Sequence, residues 1–235
     1  MKELLQRLET EYAQELQTQI PLLEQKIDTL RADAVNAMPT VRRAADGKAA
    51  GTINYADMKV LYLLVRHLKP KVIFEIGTWV GTSAMVMAEA IRQNGNGGII
   101  YTCDNADCYQ AQPLYESIIK KITAFSDVAI DQIPSEEKID FVFADGELTF
   151  ATIKKLNHRL SPHAIITTHD YILPAEKGVI NFLRLQLTSL GGYELVSSYT
   201  ISELLKGGTV TAIIYKDHTQ NLLSSLLSRS LNVVQ

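Results

Sequence analysis

The run Val72-Ile-Phe-Glu-Ile76, followed directly by Gly77-Thr-Trp-Val-Gly81, constrains this chain more than any other segment. A short apolar run with β-branched and aromatic residues is the pattern of a strand buried on both faces. Ala84, Met85, Met87, Ala88 and Ile91 then mark the apolar side of a helix. Strand, glycine turn and helix in succession form the opening half of a βαβ unit. Gly77 and Gly81 let the backbone bend tightly, so that a ligand can lie against bare amides at the helix N-terminus.

Two ligand classes use such a turn. A dinucleotide fingerprint, G-x-G-x-x-G, sets a pyrophosphate on the helix end. Here the spacing is Gly77-x-x-x-Gly81, with Glu75 ahead of the first glycine and Ser83 behind the second. A carboxylate suits a pyrophosphate poorly and suits a ligand carrying an ammonium group. The E-x-G-x-x-x-G-x-S string resembles the first motif of class I S-adenosylmethionine-dependent methyltransferases. On that resemblance Glu75, Gly77, Thr78, Trp79, Gly81 and Ser83 line the cofactor.

The chain has 235 residues, enough for one α/β domain with an appendage. Lys and Arg number 23 against 26 Asp and Glu, so no basic field argues for nucleic acid. No apolar run is long enough to span a membrane, and Met-Lys-Glu-Leu-Leu lacks a signal-peptide core. Cys103 and Cys108 make neither a disulfide framework nor a metal set. The composition reads as a soluble cytoplasmic protein.

From Lys2 to Val35, Leu5, Leu8, Tyr12, Leu16, Ile20, Leu23, Ile27 and Leu30 recur at helical spacing, with Pro21 expected to break or kink the run into two helices. A stripe this long packs either on its own domain or against a second copy; we expect a homodimer or larger homo-oligomer. Residues 38–51, rich in Ala, Gly and Arg, read as a flexible connection. The expected domains are a helical appendage over 1–50, a cofactor domain over 51–218 and a tail over 219–235. Tyr55-x-x-x-Lys59 matches a dehydrogenase pair but precedes the first strand, and is read as coincidence.

Ile99 to Cys103 is the expected second strand, ending at Asp104, where a carboxylate can accept from two vicinal ribose hydroxyls. Gln112 to Ile119 reads as a short helix and Lys121 to Phe125 as a third strand; the methyltransferase resemblance implies Ser126 at the adenine edge, and it also reads as a helix cap. Phe141 to Ala144 is a buried strand from whose end Asp145 emerges. A helix over 149–160 leads to a fifth strand, Ala164 to Thr168, ending in His169-Asp170-Tyr171. Adjacent parallel strands lie about 5 Å apart, so Asp145, His169 and Asp170 can converge at one sheet edge. Two carboxylates and an imidazole are a plausible divalent-cation set.

A strand ending Asp-Gly-acidic, then one ending His-Asp-Tyr, then Gly178-Val-Ile-Asn-Phe182 together resemble the macrocin O-methyltransferase and cephalosporin hydroxylase-like branch of class I methyltransferases. The resemblance covers roughly Ile53 to Asp217. It implies a Rossmann-like, doubly wound, seven-stranded mixed sheet whose last strand is antiparallel, formed here by Glu194 to Tyr199 and Thr209 to Tyr215 after a helix over 176–190. It also implies S-adenosylmethionine as cofactor, Asp145 contributing to its site, and a small-molecule hydroxyl as acceptor. A magnesium or other divalent ion would be held by Asp145, His169 and Asp170, with Asp145 and His169 catalytic. The branch usually carries a His after its acidic pair, and this chain has Leu148. That departure keeps two rivals open, a cofactor-binding but inactive scaffold and, less favoured by the glycine spacing, a nicotinamide oxidoreductase.

Overall fold

Each expected strand carries apolar residues on both sides, and the structure uses both sides. A computed structural model of the chain describes residues 2–146, 148–169, 193–196 and 212–216, with side chains described for 6–146 and 148–169. The parallel strands are β1 (Val72–Ile76), β2 (Ile99–Asp104), β3 (Ile119–Thr123), β4 (Ile139–Ala144) and β5 (Leu160–Thr168). Two further strands, β6 (Tyr193–Val196) and β7 (Ala212–Lys216), extend the sheet in the order β3-β2-β1-β4-β5-β7-β6, with β7 antiparallel to β5 and to β6. Along β1, Ile73 enters one core while Phe74 and Ile76 enter the other. This is the two-faced burial that an uninterrupted apolar strand demands.

The upper core holds α1 (Lys2–Glu11), α2 (Ala13–Ala37), α3 (Tyr55–Leu68) and α4 (Thr82–Asn94); the lower one holds α5 (Ser126–Ala129) and α6 (Phe150–Arg159). Leu8, Ile20, Leu23, Ile27 and Leu30 are buried in the same cluster as α3 and α4. The stripe therefore has its partner inside the chain. Glu15 fastens this layer further, accepting hydrogen bonds from the Tyr62 hydroxyl and from Arg66 Nη2, the latter at 2.8 Å. No helix among the described residues is long and apolar enough to cross a membrane.

Three local expectations are corrected. The break between the first helices falls at Tyr12, and Pro21 lies inside α2. Proline costs a helix roughly 3 kcal/mol, and the continuous face from Ile20 to Leu30, buried in one core, offsets it. The segment at 112–119 forms only a 3₁₀ turn, Pro113–Tyr115, and β3 begins earlier, at Ile119, where Ile119 and Ile122 supply its buried positions. The connection over 38–51 is built rather than loose. Ala49 and Val41 are buried against Val80, Arg43 bridges Ala49, and Arg31 Nε donates to the Ala49 carbonyl at 2.9 Å. The expected helix over 176–190, the Gly178–Phe182 string and the tail lie outside the described residues.

Candidate active site

The glycine turn is laced to its neighbours by its own amides. Gly77 and Thr78 N–H both donate to the Cys103 carbonyl, at 2.9 and 3.1 Å, and Gly81 N–H donates to Thr78. Trp79 N–H donates to Asp104 Oδ2 at 2.8 Å. These four turn amides are consumed internally. The reason is that β1 and β2 run in register to their tips, so the Cys103 carbonyl meets the turn. Trp79 takes a left-handed backbone at φ 46°, and its indole Nε1 donates to the Ala50 carbonyl at 2.9 Å. Gly77, at φ +95°, leaves no room for a side chain, since a Cβ there would lie 2.7 Å from the Gly146 amide nitrogen. At Gly81 the obstacle is the Tyr109 ring, again 2.7 Å from a would-be Cβ.

Glu75 is fully buried, Thr102 donates to its Oε2, and its Oε1 has no aligned hydrogen-bond partner. Burial pushes its carboxyl up to about 8; nearby Ser83 and Thr102 hydroxyls pull it down, while Asp145 and Asp104 push it further up. Three carboxyl groups thus share one region at the tips of β1, β2 and β4. Thr78 is also buried, its hydroxyl 2.7 Å from that of Thr102, so it braces the Glu75 site from within. Cys103 packs in the lower core, and burial pushes its thiol up to about 12, which makes it a packing residue and no nucleophile.

A cleft of about 150 Å³ opens beside the turn, lined by Gly77, Asp104, Asn105, Phe125, Ser126 and Gly146 among others. Asp104 faces it with both oxygens already anchored, Oδ1 accepting from Ala106 N–H at 3.0 Å and Oδ2 from Trp79. Each carboxylate oxygen can accept a second hydrogen bond. Ser126 opens α5 without capping it, and its hydroxyl sits 2.7 Å from that of Thr152. The exposed ring of neighbouring Phe125 was missed by the sequence reading, although an aromatic residue next to the expected adenine edge was the available signal.

Asp145 and His169 do come together. His169 Nδ1 lies 2.9 Å from Asp145 Oδ1, and its Nε2 lies 3.0 Å from Asp57 Oδ2. Asp57, in the first turn of α3, is buried and was not singled out in the sequence. Asp170 and Glu147 lie outside the described residues. Among the described residues no three His, Cys, Asp or Glu side chains form a cation-binding group. The His169 donor set also fits a cation poorly, because each ring nitrogen faces a carboxylate oxygen. Leu148 is buried in the lower core, so the position after Glu147 serves packing.

A family model described as a methyltransferase domain matches residues 74–171, from β1 through the tip of β5. No curated protein matches the chain in sequence. Among solved structures, an O-methyltransferase from Bacillus cereus in complex with SAH superposes with a TM-score of 0.60 at 18% identity, covering 81% of this chain and 91% of that one. TomG from Streptomyces achromogenes, an O-methyltransferase involved in tomaymycin synthesis and solved with SAM, gives 0.59 at 14% identity over 81% and 89% of the two chains. SAH-bound methyltransferase PaMTH1 from Podospora anserina gives 0.55 at 16% identity, over 80% and 88%. The chain has the class I methyltransferase fold. In methyltransferase terms, the cleft beside Asp104 occupies the carboxyl-terminal edge of the parallel strands, where open α/β sheets place their ligands.

Glu75 gives a test of the charge arrangement that needs no ligand. Its folded-state pKa lies above the ordinary carboxyl value, so the folded protein holds the proton more tightly than the unfolded chain. The associated stability is fully present below pH 4.5 and is lost as pH rises through about 8. The loss is on the order of 5 kcal/mol. Glu75→Gln should therefore gain thermal stability relative to wild type progressively between pH 5 and pH 8. A Tm difference that stays constant over that range would contradict the burial of a titrating carboxyl.

Proposed function

We propose that this chain is an S-adenosylmethionine-dependent O-methyltransferase acting on the hydroxyl of a small molecule. The supporting observation is the convergence of Glu75, Asp104 and Asp145 on the glycine turn, with Glu75 fully buried there. An acid-lined turn favours a cationic ligand and disfavours a pyrophosphate. On this reading Glu75 faces the ammonium end, with Gly77, Thr78, Trp79, Gly81 and Ser83 shaping that pocket. Asp104 takes the ribose, and Phe125 and Ser126 border the adenine. The fold shared with SAM- and SAH-bound methyltransferases supports the same assignment. The finer placement in the macrocin and cephalosporin hydroxylase-like branch rests on the strand-tip strings alone.

When bound, S-adenosylmethionine supplies a sulfonium methyl that passes to an acceptor oxygen as the carbon–sulfur bond breaks. The protein's part is to align the acceptor and take its proton. Asp145, half-buried at the tip of β4, is placed for that role with His169 steadying it. The His169 imidazole faces two carboxylates and is poorly disposed to hold a metal. Residues 51–218 would form the cofactor domain on the seven-stranded sheet, residues 1–50 a helical layer over it, and 219–235 a tail. A cytoplasmic homodimer through the N-terminal helices would use their outer face, since the inner stripe is spent in the chain's own core.

Calorimetry with S-adenosylhomocysteine and with NAD tests the reading, with one-to-one binding of the former and none of the latter expected. Binding of NAD alone would reverse it. The scaffold alternative draws on Leu148; it predicts S-adenosylhomocysteine binding with no transfer to any phenol, catechol or sugar hydroxyl in a panel.

A further inference from the structure

Another cavity, of about 300 Å³, lies between α2 and the start of α3 and shares no lining residue with the cleft beside Asp104. Small-molecule pockets begin at about this size, running from about 300 to 1,000 Å³. Ile27 and Ile53, both buried, supply its apolar wall, and Tyr55 adds a ring that is 40% exposed. Thr52, Arg31 and Asp46 supply polar groups. An open aromatic face beside apolar side chains suits a flat or ring-shaped ligand.

The charges around this cavity are already matched. Arg31 Nη1 lies 2.9 Å from Asp46 Oδ2, its Nε donates to the Ala49 carbonyl, and Lys48 Nζ lies 2.8 Å from Asp28 Oδ2. Hydrogen bonds from Lys48 hold the Asp28 and Asp46 carboxyls below the usual carboxylate range. The Tyr55 hydroxyl donates to Asp28 Oδ1 at 3.0 Å, which leaves its own oxygen able to accept. Two cations and two anions cancel, so an ionised ligand would either break a pair or enter without a partner. Hydroxyl groups meet no such penalty, because Thr52, the Tyr55 oxygen and the remaining lone pairs of Asp46 can exchange hydrogen bonds with them. The segment that walls the cavity is also tied to the cofactor site. The Ala50 carbonyl accepts from the Trp79 indole in the glycine turn, and Asn54, which lines the cavity, donates to Asp57 Oδ2 at 2.6 Å. We propose that this cavity binds a neutral ring bearing hydroxyls, and that the ring is part of the methyl acceptor. The acceptor role rests on the proposed function; the ligand class does not.

Isoleucine-methyl NMR on the full chain reads occupancy directly, with Ile27→Val and Ile53→Val each deleting one signal for assignment. Hydroquinone with gentisate and methyl glucoside with methyl glucuronide serve as matched probes, the second member of each pair carrying a carboxylate. Saturable shifts of both signals are expected with a neutral probe, and which one binds tells a phenolic ring from a sugar. Its carboxylate counterpart should bind about tenfold more weakly, as for an ion entering without a partner. Asp46→Asn, on the exposed rim, removes one anion and should erase that preference. Shifts from neither neutral probe, equal affinity within the pair, or an unchanged preference in Asp46→Asn would each overturn the site. For the acceptor role, the probe that binds should take a labelled methyl group from S-adenosylmethionine. Thr52→Phe, which narrows the cavity, should raise its KM by about tenfold or more, the scale of one lost pocket contact. Thr52→Val, close to the native size, should raise it as well by removing the hydroxyl. Binding without transfer, or a KM unmoved in both variants, would overturn that role. S-adenosylhomocysteine calorimetry on the wild type separates failure of the site from failure of the methyltransferase reading.

Discussion

Gly77→Ala is expected to cost about 2–6 kcal/mol of folding stability and to close the cofactor turn. Two penalties combine. A side chain held in the left-handed region costs about 1–3 kcal/mol, and overpacking a fixed site adds about 1–3 kcal/mol more. The neighbour here is backbone, the Gly146 amide at 2.7 Å from the added carbon, and that amide is itself tied to the Ile76 carbonyl at 2.8 Å. Nothing flexible can move aside. Thermal unfolding and S-adenosylhomocysteine calorimetry should both register the change. An alanine variant that keeps wild-type Tm and affinity would mean that the β1 and β4 tips lie further apart than described. Gly95→Ala is the control, because it shares a positive φ but meets nothing within 4 Å; it should show only the smaller backbone term.

Asp104→Ala should weaken S-adenosylhomocysteine binding by about tenfold to a hundredfold, the equivalent of one hydrogen bond to a charged acceptor at about 1.5–3 kcal/mol. The same change strands the Trp79 and Ala106 amides, whose acceptor it removes. Asp104→Asn separates the two effects. It retains one carbonyl oxygen, so it should preserve more of the turn than alanine does while still losing ribose recognition. Calorimetry on both variants, with Tm as the index of turn integrity, distinguishes them. Equal affinity in wild type and alanine variant would remove Asp104 from the cofactor site.

The parts of the site built by contiguous sequence were legible. An apolar run, two glycines and an apolar helix face place β1, the turn and α4, and a carboxylate at the end of β2 follows from the same logic. Asp145 and His169 were readable together because parallel strands in register bring their tips side by side. Asp57 was not. It sits in a helix before the first strand, in no motif, and its place in the site exists only through a contact made across the fold. The surroundings of Thr78 were hidden too: its hydroxyl meets that of Thr102 because β2 runs alongside. Residues 38–51 looked flexible from their Ala and Gly content, yet small residues are also what close packing requires, and Ala49 is fully buried.

That buried connection bears on how an acceptor could arrive. The helical layer is fastened to the sheet at widely separated points: Trp79 to Ala50 beside the turn, Arg31 to Ala49 from α2, and Glu15 to Arg66 and Tyr62 at the far end. A layer pinned at both ends does not swing as a lid. Loading and release of an acceptor would then proceed with that layer in place.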